Sequence, residues 1–334
     1  MYNYRVSRPE AWSGRVDSID NRQAFRLHQV VEIINLEQAE ELEAHQDKMT
    51  AVNFAFIGFE SDLGVRLNQG RPGAHEAPDM IRQKLASLPF KLEDTSMIDV
   101  GNVYATDDLD RAQQALGEIT KDLMNRGYLP IILGGGHETA LADYYGHWLN
   151  EEKHLGIVNI DAHFDNRPYQ ESGASSGTMF RQIYDITQSK DYPYTYFVLG
   201  IQDHGNTQEL FNYADETGVE YYSTQEVISD QSGQISSALD SWLDKVDKVM
   251  LTVDMDVFNV AIAPGVSATQ PFGLFPDHIQ SYLDQLIQSG KVASLDVVEV
   301  SPVNDQNNNQ TAQLAATLIY YMMQSWQKAE SAKK

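Results

Sequence analysis

The chain has 334 residues, 42% hydrophobic and 22% charged, enough to bury a large core in one α/β domain or two average ones. Its formal net charge of −24 repels phosphate backbones and argues against a nucleic-acid partner. With no cysteine, disulfides, thiolate nucleophiles and zinc–thiolate sites are excluded.

The opening segment MYNYRVSRPEAW lacks the apolar run of a signal peptide. No stretch approaches the roughly 18 apolar residues of a membrane span, so a cytoplasmic protein with no membrane partner is expected. Residues 24–44 have helical spacing and many glutamates, which predicts an N-terminal helical extension over residues 1–48. From there short β-rich runs, at 52–59, 97–103, 129–133, 155–160, 195–200, 219–222, 248–253 and 292–300, alternate with amphipathic stretches. The latter include 78–88, 109–126, 207–216, 235–246, 277–289 and 311–326. Such alternation predicts a parallel sheet covered by helices on both faces, in one domain over 49–330. A closed eight-stranded barrel is the alternative that periodicity leaves open. The polar tail SWQKAESAKK is expected to fray.

Polar residues collect where strands should end, which is where open parallel sheets bind ligands. The strand YLPIIL runs into GGGHE, and three glycines before His137 let the backbone turn tightly and approach something closely. The strand LGIVNI ends in DAHFD, placing Asp161, His163 and Asp165 at alternating positions of one short segment. A solvated acidic loop is the plainer alternative, but it gives no reason for a histidine at that register. The strand KVMLTV ends in Asp254-Met255-Asp256. D-x-D is often a turn or a capping pair, yet carboxylates after a buried strand cost several kcal/mol each without cations. A fourth acid, Glu299, closes the strand in VASLDVVEVSP.

Asp161, Asp165, Asp254 and Asp256 sum to −4, and two divalent cations would balance them. Carboxylates and imidazoles without sulfur favour Mn²⁺ over Zn²⁺. Two metals roughly 3.5–4 Å apart lower the pKa of a shared water, so the predicted chemistry is hydrolysis.

The ordered set GGGHE, DAHFD, DMD and VEVSP resembles the arginase/agmatinase (ureohydrolase) family, from about residue 52 to 327. The loop RPGAHEAPDMIR at 71–82 is similar to a further stretch of that family. The resemblance implies a three-layer α/β/α fold with an eight-stranded parallel sheet and two Mn²⁺ per subunit. It implies that His137, Asp161, Asp165 and Asp254 ligate one manganese, and Asp161, His163, Asp254 and Asp256 the other. It further implies that Glu299 grips a planar amidine or guanidine, that Asp165 passes a proton to the departing amine, and that the subunits form a homo-oligomer.

Two departures bear on the substrate. Arg167 stands where arginases carry asparagine, and Ser176 in SSGTMFR stands where arginases and agmatinases carry histidine. Both resemble the members that hydrolyse N-formimidoyl-L-glutamate to glutamate and formamide in histidine breakdown. An arginine suits that dianionic tail, because its planar fork pairs bidentately with carboxylate. From residue type alone Arg167 could equally form a surface ion pair. Arg71, Arg66 and Arg181 are secondary candidates for the tail, and His75, His147, His204 and His278 read as structural. Hydrolysis of agmatine or a guanidino acid is the alternative activity. A non-catalytic binding protein is the other, disfavoured because all six ligand positions are filled.

Overall fold

The computed structural model describes residues 3–333. Ten strands form one sheet: β1 (Tyr4–Arg5), β2 (Glu32–Ile33), β3 (Val52–Glu60), β4 (Thr95–Tyr104), β5 (Leu129–Leu133), β6 (Leu155–Ile160), β7 (Thr195–Ile201), β8 (Glu220–Ser223), β9 (Lys248–Asp254) and β10 (Val292–Val298). The eight expected runs are β3 to β10, all parallel. Two short strands that the sequence did not announce add to them. The order β1-β4-β3-β5-β10-β9-β6-β7-β8 is open at both edges, which settles the choice against a closed barrel.

Side-chain alternation explains why helices cover both faces. In β3, Phe54 and Phe56 enter one apolar cluster while Ala55, Ile57 and Phe59 enter another. In β7, Phe197 and Leu199 join the first cluster, and Tyr196 and Val198 a third on the opposite face. Helices Ala77–Ala86, Gln234–Leu243, Pro276–Gln288 and Gln310–Ser331 supply the first layer. Helices Leu109–Asn125, Thr139–Leu149 and Met179–Ser189 supply the other. Strands buried on both sides must be apolar throughout, as β3 is. The last helix reaches Ser331, so most of the tail expected to fray is helical; its final residue lies outside those described.

The helix expected over residues 24–44 does not form as such; an α-helix occupies only Ala39–Gln46. Before it come short 3-10 turns and the strand β2, whose Glu32 and Ile33 pair with Ile98 and Asp99 of β4. The unpaired edge of β4 offers backbone partners that outweigh a weak helical preference. Buried charge pins the same segment. Arg82 and Asp99, both fully buried, form a two-pronged ion pair. Trp12 Nε1 and Ser7 Oγ donate to the same carboxylate, each at 2.6 Å.

Candidate metal centre

The sheet order brings the four motifs together. β5, β10, β9 and β6 are consecutive neighbours, although the chain visits them in the order 5, 6, 9, 10. Their carboxyl ends carry His137, Glu299, the Asp254/Asp256 pair and the Asp161–Asp165 loop. The glycines before His137 serve close approach, as expected: a side chain on Gly135 would meet the Ser61 carbonyl oxygen at 1.8 Å.

Two ligand groups result. His137, Asp161, Asp165 and Asp254 converge as one, and Asp161, His163 and Asp256 as another. His137 Nδ1 lies 3.1 Å from Asp161 Oδ2, 3.0 Å from Asp165 Oδ2 and 3.1 Å from Asp254 Oδ2. His163 Nδ1 lies 3.5 Å from Asp161 Oδ1 and 3.2 Å from Asp256 Oδ2. Asp161 therefore presents one oxygen to each group. Asp254 keeps Oδ2 in the first group, while its Oδ1 accepts the Asp256 N–H at 2.7 Å. The second group thus assembles three of its four expected members.

Hydrogen bonding around His137 tests whether this cluster fits cations. Its Nε2 meets Thr252 Oγ1 at 3.0 Å, and that hydroxyl donates to Asp296 Oδ1. The Thr252 oxygen is then an acceptor, so Nε2 carries the proton and Nδ1 presents a lone pair. Nδ1 makes no hydrogen bond of its own, although three carboxylate oxygens lie around it. A lone pair among three anionic oxygens is repulsive unless a cation lies between them. The donors fit a metal pair.

Without cations, the cluster must take up protons instead. Burial and neighbouring carboxylates push Asp254 and Glu299 well above the usual range, and Asp165 above it. Burial raises Asp256 to about 6 against the pull of His163. Burial would lower both imidazoles, but the carboxylates outweigh it and hold His137 and His163 well above their ordinary value. Asp161 is likewise pulled down by the two histidines against its own burial. Each such proton occupies a position that a divalent ion would contest.

Glu299 Oε1 accepts the His137 N–H at 2.9 Å, and its buried Oε2 has no partner. Glu299 and Asp165 hold φ of +63° and +47°. Such backbone costs non-glycine residues about 1–3 kcal/mol and is kept where surrounding structure enforces it.

A cavity of about 310 Å³ opens over the cluster. His163, Asp165, Asp254, Asp256 and Glu299 line its floor, and Arg71, Arg167, Ser176, Asn68 and Gln69 contribute to its walls. Arg167 is exposed and forms no ion pair among the described residues, so the surface-pair reading does not hold. The other arginines are engaged. Arg66 pairs with Asp62 at 2.8 Å, and Arg71 donates to the carbonyls of Val266 and Ser267 at 2.6 and 2.9 Å. Arg181 lies 4.1 Å over the Tyr213 ring and does not line the cavity. Among the remaining histidines, His75 bonds Asp62, His204 bonds Gln270 and His278 accepts the Phe275 N–H.

Sequence reading missed the supports. Glu138, beside His137 in the GGGHE run, is fully buried, accepts from Ser61 Oγ and the Gly64 N–H at 2.9 Å each, and is raised by burial to about 7. Thr252 and Asp296 were missed because their significance lies in the partner across the strand; Thr252 sits beside Asp296 in the β9–β10 register.

Over residues 52–324 the chain matches the Arginase family and belongs to it. It is 40% identical over 325 residues to a formimidoylglutamase of Clostridium tetani, covering 95% of each chain. Its fold superimposes on the crystal structure of formimidoylglutamase from Bacillus subtilis with a TM-score of 0.73 at 23% identity, covering 82% of this chain and 87% of that one. A Trypanosoma cruzi formiminoglutamase solved with Mn²⁺ gives a TM-score of 0.73 at 20% identity, covering 83% and 94%. These two likenesses establish the arginase-like α/β fold.

Proposed function

We propose that the protein hydrolyses N-formimidoyl-L-glutamate to L-glutamate and formamide, as an enzyme of histidine breakdown. The observation that carries the substrate choice is Arg167, exposed on the wall of a carboxylate-floored cavity and in no ion pair among the described residues. The name borne by relatives at about 40% identity supports the same choice. Agmatine, with a cationic tail, would meet a like charge at Arg167.

His137, Asp161, Asp165 and Asp254 would hold one manganese ion; Asp161, His163 and Asp256 would hold the second, with Asp254 adjoining. When bound, such a pair lowers the pKa of a shared water and supplies hydroxide at neutral pH. The chain's own residues do the rest. Glu299, which lines the cavity and keeps its buried Oε2 without a hydrogen-bond partner, accepts N–H bonds from the formamidine and holds its carbon over the cluster. Attack at that carbon breaks its bond to the glutamate nitrogen. Asp165, on the cavity floor, returns the proton to that nitrogen, which leaves as the amine of glutamate. Arg167 pairs with the tail carboxylates, and Ser176, 7% exposed, lines the wall without a chemical step. A nucleophilic serine is not needed where hydroxide is supplied at neutral pH.

Product analysis tests this. Mn²⁺-loaded protein should release formamide from N-formimidoylglutamate and little or no urea from arginine, agmatine or guanidinobutyrate. Urea as the dominant product would overturn the substrate assignment.

A further inference from the structure

Beneath the metal cluster, a chain of buried polar groups runs between the sheet and helix Thr139–Leu149. It starts at His137 Nε2, passes to Thr252 Oγ1 at 3.0 Å and continues to Asp296 Oδ1. From the other end, Lys248 Nζ meets Glu152 Oε1 at 2.6 Å, and Glu152 Oε2 meets His147 Nδ1 at 2.5 Å. His147 Nε2 then lies 2.8 Å from Ser294 Oγ, which donates to Asp143 Oδ2 at 2.7 Å. Thr252, Asp296, Ser294, Asp143 and His147 are all fully buried.

The two halves meet at Asp143 and Asp296: Ser294, which donates to Asp143, and Asp296 are alternate residues of β10 and face the same side of the sheet, and the two carboxyls influence each other directly. Each keeps one buried oxygen without a hydrogen bond among the described residues, Asp143 Oδ1, which has His147 Nε2 no nearer than 3.8 Å, and Asp296 Oδ2. Two carboxylates cannot bond to each other, since both only accept. A single proton between them satisfies both orphan oxygens and removes one of two like charges from a site without water access. We propose that Asp143 and Asp296 hold one proton between them, and that this acid–carboxylate pair positions the metal ligand His137 through Thr252.

The surroundings agree with that protonation. Burial raises both carboxyls, and at Asp296 the Asp143 charge adds to it. The groups facing Asp143 are His147 on its own helix, Ser294 on β10 and Glu152 in the loop beyond. Those facing Asp296 are Thr252 and Asp254 on β9 and His137 beyond β5. One residual negative charge at the pair keeps Thr252 donating downward, which leaves its oxygen to accept the His137 Nε2 proton. The imidazole is thereby held with Nδ1 toward the metals, as second-layer partners of ligating histidines commonly do.

The inference rests on the metal-centre reading but not on the substrate, so its failure would leave formamide release untouched. Asp143→Asn replaces the shared proton by a permanent N–H of nearly the same shape. In Mn²⁺-saturated protein, the folded pair binds a proton that the unfolded chain releases, so raising the pH from 5 to 7 should destabilise wild type relative to the variant, whatever slope the two share. Relative to the variant, the folding equilibrium should lose up to tenfold per pH unit. Parallel stability–pH curves would overturn the shared proton. Separately, Thr252→Val should weaken Mn²⁺ binding by roughly 10–100-fold in calorimetric titration, and Thr252→Ser should restore it. Unchanged affinity in the valine variant would overturn the positioning role.

Discussion

Replacing Arg167 by asparagine removes the cation assigned to the substrate's tail while leaving a side chain that still fits the cavity wall. A charge-assisted hydrogen bond contributes about 1.5–3 kcal/mol, but Arg167 is exposed, and solvent screening brings the expected loss to about 1–2 kcal/mol. That corresponds to a roughly 5- to 30-fold rise in KM for N-formimidoylglutamate. The change in kcat should be smaller, because the tail lies away from the reacting bond and is held alike in ground and transition states. No ion pair is broken in the free protein, so Tm and manganese content should match wild type. The assay is steady-state formamide release at two ionic strengths, since the Arg167 contribution should shrink with added salt. Arg167→Lys should recover part of the loss, as charge returns without the planar fork. An asparagine variant with unchanged KM at low salt would refute the tail assignment.

Purified active protein should carry two Mn²⁺ per chain; chelation should abolish activity, and Asp254→Ala should cost both metal occupancy and nearly all turnover by metal analysis and assay. Ser176→Ala should retain substantial turnover; a loss of many thousand-fold with metals still bound would give that hydroxyl a chemical role. Manganese affinity should climb with pH, because metal-free Asp256, Asp254, His137 and His163 hold protons at raised pKa values that the metal must displace. Titrations should therefore show the weakest binding below pH 6, near the Asp256 value of about 6, and continued strengthening above it. Asp99→Ala should lower stability by about 3–5 kcal/mol in urea denaturation, since it strands the fully buried Arg82 and frees Trp12 and Ser7.

Local pattern was enough to place β3 to β10 and to single out the polar residues at their ends, because strand periodicity and strand-end residues are written within a few positions of one another; the grouping of six candidate ligands came from the resemblance. Asp161 and Asp254 needed no partner in view to be suspected: each ends an apolar run where burial would otherwise forbid charge, and His137 stood out by the three glycines before it. What local pattern could not supply was anything depending on distant pairs. The arrangement β5-β10-β9-β6 is decided by pairing between segments far apart in sequence, as in Asp296 beside Ile132. Residues 24–44 read as helix because their spacing is helical, and up to residue 38 they are turn and strand instead, held by the edge of β4, while the Asp99 carboxylate anchors Trp12 before them. Arg66, Arg71 and Arg167 are the same residue type, and nothing local tells them apart. Only the folded chain shows Asp62 against one, the Val266 and Ser267 carbonyls against another, and no ion-pair partner for Arg167 among the described residues, because the free energy of a charge depends on neighbours that the tertiary structure brings to it.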